Sequence, residues 1–429
     1  MKATLFSRIL IILVLICITI STVYISKRLY DNSVRDKSLK ADYFIINQIK
    51  YGLLSGSNWS MQVNRIIVLQ VDSFQFSTEN KKVLREQISA VLGRLFDEVD
   101  EVMHKKRSGK EKIKFKVLNA LVDVNTFKQE IPRFTQAIID EMENSKNKDQ
   151  IKDILKEKVT GILNATDQDV IGERQYILNK YDPNCVEDVN QFIAGQTDQI
   201  RQEQKTLGYI LIGLMALTLL LWAFIIKVKI LYATAFLFSV LISFITLFIG
   251  VNLPMIEIDA RIATLDLKLL SSHIVFKDQV IFFQTKSILD VVRILITQGK
   301  SDSVFVGSLI LLFSVLFPVA KLICASIYIS AKRKTNKFIY YMAFKSGKWS
   351  MADVMVVAIF MAYVGFQGIL NNQLQDMNMQ NDMANMVSTN KTNMQTGFII
   401  FVSFVLFNMG LAEILKIITK NKRLEEEKA

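Results

Sequence analysis

Six apolar runs dictate what this chain can become. They cover Ile9 to Ile25, Leu207 to Ile226, Leu231 to Val251, Val304 to Ile329, Ala352 to Leu370 and Gly397 to Ile418. A hydrocarbon core about 30 Å thick is crossed by about 20 helical residues. Inside it every backbone N–H and C=O must find its partner within the protein, which leaves the helix as the conformation for isolated runs of this kind. The fold class that follows is an all-α polytopic membrane protein with about six transmembrane helices. Between the first and second spans sits a long polar segment, read as a mainly helical extracytoplasmic domain.

Charge orients the spans. The chain carries a net charge of +12, but Lys27 to Lys205 holds 29 basic and 27 acidic residues, so the basic excess belongs to the membrane part and its flanks. There it sets topology and faces anionic lipid head groups; nucleic-acid binding is not expected. Lys2 and Arg8, Lys227 and Lys229, Lys332 to Lys348, and Lys420 to Arg423 fall on one side if every run crosses once. Basic loops mark the cytoplasm, so both termini are expected inside. The polar domain, the loop Glu257 to Ser303 and the loop Asn371 to Thr396 are then outside.

The boundaries follow. Residues 1–26 are a transmembrane anchor with a basic start, read as an uncleaved span because no A-x-A site follows the apolar run. Residues 27–206 form the exported domain. Apolar residues recur there at helical spacing, as in Val83 to Val102, Phe134 to Met142 and Ile151 to Ile162, and Arg65 to Val71 reads as a short strand or a buried helical turn. Residues 207–419 are the membrane domain and 420–429 a charged tail. Within the membrane domain, Ile258 to Phe283 alternates apolar and polar residues in places, which predicts short strands. Ser287 to Thr297 is too short to span and reads as an interfacial or re-entrant helix, with Asp290 and Arg293 at i, i+3 and Gly299 as its stop. The Asn- and Met-rich stretch Asn371 to Thr396 reads as an exposed loop rather than a thioether metal site.

Enzymatic classes find little support. The three cysteines form no C-x-x-C, the two histidines are isolated, and no nucleotide-binding, nucleophile-elbow or zincin pattern occurs. No catalytic residue, metal site or cofactor is expected.

The residues that stand out lie inside the fourth and fifth spans. Lys321 lies eleven residues before Lys332, about 16 Å along a helix, near mid-membrane. Pro318 precedes it and frees a backbone carbonyl. Trp349, Ser350 and Asp353 open the fifth span. An ionisable residue within a span is costly and marks function by default. The structural alternatives are a snorkelling lysine and a helix-capping aspartate. If the two spans pack side by side, Lys321 and Asp353 occupy the same half of the bilayer. Such a pair suits binding a lipid head group or relaying a proton. Glu413 and Lys416 in the sixth span read as a local surface pair.

These elements carry a resemblance. Leu253-Pro254-Met255, the segment Ser287 to Val291 with Thr297-Gln298-Gly299 after it, F-P-V-A-K-L at Phe317 to Leu322 and K-W-S-M-A-D-V at Lys348 to Val354 resemble the paraquat-inducible protein A family over about Leu207 to Ile418. The resemblance implies a bacterial inner-membrane protein that moves lipid to or from periplasmic tunnel proteins of the mammalian-cell-entry type. Lys321, Asp353, Pro318 and Ser350 would then be the polar core, with Asp290, Arg293 and Trp349 as secondary candidates. The chain departs from that pattern in having one membrane domain, no paired cysteines, and an added span with its polar domain. The alternative reading is a sensor or scaffold whose exported domain binds a ligand or envelope partner.

Overall fold

The computed structural model describes residues 2–48, 171–181, 186–226, 228–269, 272–330, 336–344, 352–380 and 384–426, together with residues 86, 89, 90, 93 and 94. The chain is a mainly helical polytopic membrane protein. Among the described residues, six helices are long and apolar enough to cross a bilayer, and they fall on the six apolar runs. The helical readings at Val83 to Val102, Phe134 to Met142 and Ile151 to Ile162, and the strand-or-turn reading at Arg65 to Val71, lie outside the described residues, apart from those five.

The helices are α1 (Lys2–Ile46), α2 (Ile171–Tyr181), α3 (Val186–Ile225) and α4 (Tyr232–Asn252). After two strands come α5 (Ile288–Thr297), α6 (Ser301–Leu311) and α7 (Phe317–Ser330), the last two joined by a π-helical turn at Leu312–Leu316. Then follow α8 (Lys337–Phe344), α9 (Ala352–Met377) and, after three more strands, α10 (Thr396–Glu426). The centre of the bundle is α4 with α10: 61% and 56% of their apolar windows are buried, against 6% for α9. Trp222, Phe236, Phe401, Phe404 and Phe407 fill that core, and the Trp222 indole donates to Ser239 Oγ at 3.0 Å. Close packing of α4 and α10 depends on Gly397, where a Cβ would lie 2.4 Å from the Pro254 carbonyl oxygen.

Two helices are longer than their apolar runs. No proline or glycine interrupts Lys2 to Ile46, so α1 continues some twenty residues beyond its span. The polar stretch before the second span is likewise one helix with it, α3. The two pack antiparallel. Their buried residues step by three and four without a break: Leu15, Ile18, Thr22, Ile25, Leu29, Ser33, Asp36 and Lys40 on α1, and Val189, Ile193, Thr197, Ile200, Gln204, Gly208, Leu211, Met215, Thr218 and Trp222 on α3. This is the seam of a coiled coil. It runs continuously from the apolar spans into the polar extension.

The loop after α4 is more ordered than short strands. It forms a long antiparallel hairpin, β1 (Ile256–Leu269) with β2 (Ser272–Lys286). The Met-rich stretch is not a simple exposed loop. Part of it extends α9 to Met377, and the rest supplies β3 (Met379–Gln380), β4 (Ala384–Asn390) and β5 (Asn393–Met394). The sheet order is β2-β1-β4-β3, with β5 paired to the start of β1. Two bulges adjust the register. Ile281 is extra on β2 opposite Ala260/Arg261, and Ala263 is extra on β1 opposite β4. Bulges bend a strand and re-aim its side chains.

Candidate functional site

The site is built in two layers, one inside the bundle and one where the sheet meets the α1–α3 coiled coil. The inner layer lies on the fourth span. Proline lacks an N–H and its ring collides with the carbonyl four residues back, here that of Ser314. The helix answers by widening: the Phe317 N–H bonds to the Leu312 carbonyl, five residues back, which makes the π turn. Pro318 is buried and Ser314 fully so, and the Ser314 hydroxyl has no hydrogen-bond partner among the described residues. Lys321 lies three residues on, half-buried. The helix α9 touches the fourth span at this π turn. Asp353 sits in the first turn of α9, but its side chain lies outside the described residues, as do Ser350 and Trp349. The pairing of Asp353 with Lys321 therefore falls on a side chain outside the described residues.

The outer layer is a set of charges that spacing alone did not single out. Glu257, Asp259 and Arg261 alternate along β1, so they share one face of the sheet, and all three are buried. Glu257 accepts a hydrogen bond from Lys40 of α1. Lys40 also pairs with Asp36 at 2.7 Å, and Arg201 of α3 reaches Glu257 at 3.5 Å. Arg261 is held by Asp259, at 3.0 Å through Nε, and donates to the Tyr43 hydroxyl at 2.9 Å. Burial works against the Arg261 charge, but the Asp259 hydrogen bonds and the attraction of Asp259, Tyr43 and Asp278 together outweigh it and hold its pKa above the usual value. Burial raises the Tyr43 hydroxyl, and nearby Arg261 offsets only part of that. The sequence signal for this layer was E-x-D-x-R at period two.

The short helix α5 begins as expected and carries a further link. Ser287 and Asp290 form a reciprocal capping box. Asp290 then pairs with Lys37 of α1 at 2.7 Å instead of with Arg293, which is exposed. Burial would raise the Asp290 carboxyl, yet the Lys37 and Ser287 hydrogen bonds hold it below the ordinary carboxylate range. The helix stops at Gly299, whose φ is +70. Glu413 and Lys416 form the expected exposed pair at 2.6 Å.

The fourth span, its π turn and the hairpin-to-α5 corner fall within one family segment. Residues 277–375 match the family model of paraquat-inducible protein A. The paraquat-inducible protein A match runs from β2 through α5 and the fourth span into α9. It therefore contains Asp290, Arg293, Pro318, Lys321, Trp349, Ser350 and Asp353, and it bears out the resemblance read from the motifs. Neither a curated protein nor a solved structure matches the chain.

Proposed function

We propose that this protein is the membrane subunit of an envelope lipid-transport system in a bacterial inner membrane, with both termini cytoplasmic. It passes lipid to or from a periplasmic partner of the mammalian-cell-entry type. The observation that carries this reading is the broken fourth span inside the paraquat-inducible protein A segment. A π turn, a buried proline and a lysine deep in an apolar helix are costly to keep in a membrane, and π turns gather at functional sites. In this reading Lys321 draws a lipid phosphate into the bundle. Asp353 and Ser350, at the start of the fifth span, share or discharge that charge. Pro318 keeps the helix wide beside the buried Ser314 hydroxyl, which can donate to the phosphate, and Trp349 anchors the fifth span at the interface. The coiled coil of α1 and α3 carries the polar domain away from the membrane, toward the partner.

The test is crosslinking of the full-length protein in its own membrane, with mass spectrometry of co-purified protein and lipid. Lys321→Ala and Asp353→Ala are expected to remain inserted, to keep the partner crosslink, and to lose the phospholipid crosslinked to the fourth span and the transport phenotype. Wild-type lipid crosslinking to the fourth span in both variants rules the polar core out. A sensor reading draws on the same α1–α3 coiled coil, which links polar segment to membrane. It predicts instead that a soluble ligand, with no bound lipid, changes the crosslinks between α1 and α3.

A further inference from the structure

A second polar feature lies at the opposite end of the bundle from Lys321. A groove of about 190 Å³ opens between α3 and the start of α10. One face of α3 forms a wall, with Arg201, Lys205, Tyr209 and Ile212 at successive turns; Gln395 and Ile399 lie across from them. Among the described residues, two cations and no carboxylate line it. Arg201 is steadied by Glu257, whose nearer partner is Lys40, so the guanidinium keeps donors to spare. Lys205 is exposed and makes no ion pair among the described residues. The apolar run of α3 begins two residues later, at Leu207. Tyr209 is exposed at that boundary, the position that amphipathic aromatics take at a membrane interface. Beyond it, Ile212 and Ile399 continue the groove toward the hydrocarbon.

We infer that this groove binds the phosphodiester head group of an anionic membrane phospholipid, with Arg201 and Lys205 on the phosphate and the acyl chains lying along Ile212 and Ile399. The volume is several times that of a single water, about 30 Å³ in the liquid. Arginine recognises phosphate through a planar fork and lysine as a point charge. The polarity of the groove changes along its length from cationic to apolar, and a phospholipid changes the same way from phosphate to tail. The inference does not rest on the role of Lys321.

The probe is a photoactivatable phosphatidylglycerol in nanodiscs of phosphatidylcholine holding the full-length protein. Labelling is expected in the peptides around Tyr209 and Ile399. Lys205→Gln, a change at an exposed position, should lower it roughly tenfold, the effect of one charge-assisted hydrogen bond. Ile399→Trp, which fills the groove without touching a charge, should lower it as well. Lys321→Ala should leave it unchanged, which separates this site from the transport route. A photoactivatable diacylglycerol with the same tails should not label these peptides. Equal labelling by diacylglycerol, or unchanged labelling in Lys205→Gln, overturns the phosphate site. Loss of the lipid label on adding millimolar inorganic phosphate overturns the lipid source and assigns the groove to free phosphate.

Discussion

At the scale of single residues, burial decides which charges matter. Lys40 and Glu257 expose only 10% and 5% of their side chains, whereas Glu413 and Lys416 expose 67% and 55%. Removing one member of a buried pair strands the other charge and costs about 3–5 kcal/mol; an exposed pair is worth about 1 kcal/mol or less. Lys40→Ala is therefore expected to lower the thermal midpoint of the purified protein sharply, while Lys416→Ala leaves it nearly unchanged. Differential scanning fluorimetry of both variants in one detergent checks this. Asp290 gives a pH signature. Its folded pKa is depressed, so the stabilisation is fully present above the unfolded carboxylate pKa and is lost as pH falls through the folded one. Acidification should weaken the α1–α5 contact in the wild type, and Asp290→Asn should flatten that dependence over the same range.

At the scale of elements, the fourth span and the α4–α10 contact make opposite predictions. Pro318→Ala returns an N–H that can bond to the Ser314 carbonyl, so the π turn should close to ordinary α-helix. Hydrogen exchange at Ser314 to Pro318 is expected to slow in that variant, and lipid transport is expected to fall with the structure intact. Gly397→Ala instead places a methyl against the Pro254 carbonyl, a backbone atom that cannot swing away. Overpacking of this sort costs about 1–3 kcal/mol, and the variant's thermal midpoint should drop without a change at the π turn.

Element scale is also where the sequence is most unevenly legible. All six spans, the short helix α5 and the proline break were readable because each rests on a local signal: apolar length, an apolar stretch too short to span with Gly299 as its stop, a missing N–H. The α1–α3 coiled coil was not readable. Within the membrane α1 is almost uniformly apolar, with Thr19, Ser21 and Thr22 its polar exceptions, so the seam of Leu15, Ile18, Thr22 and Ile25 has little contrast. Beyond it the seam passes through Ser33, Asp36 and Lys40, which hide a hydrophobic repeat. The Glu257, Asp259 and Arg261 layer was missed for a related reason. Charged residues alternating on a strand look solvated until partners from α1 and α3, more than fifty residues earlier in the chain, are folded onto them. The strands of the Met-rich stretch were missed because β4 exists only by pairing with β1.

At the scale of the whole molecule, a polar break in one half of the bilayer faces a sheet and a coiled coil at the other end. The fourth span carries both kinds of surface. Ser314, Leu322 and Ala325 point into the bundle, whereas Leu316, Ile323 and Ile327 are exposed on the flank that lipid tails would cover. A protein that merely sits in the membrane meets lipid on the second set only. A transporter that draws lipid through its polar core meets it on both. The most direct test is photo-crosslinking of a tail-labelled phospholipid to the full-length protein, read by mass spectrometry as the ratio of labelling on inward residues to labelling on outward ones. A measurable inward signal at Ser314, Leu322 and Ala325 is expected in the wild type, disappearing in Lys321→Ala while Leu316, Ile323 and Ile327 stay labelled. No inward labelling in the wild type, or an unchanged ratio in Lys321→Ala, contradicts the account.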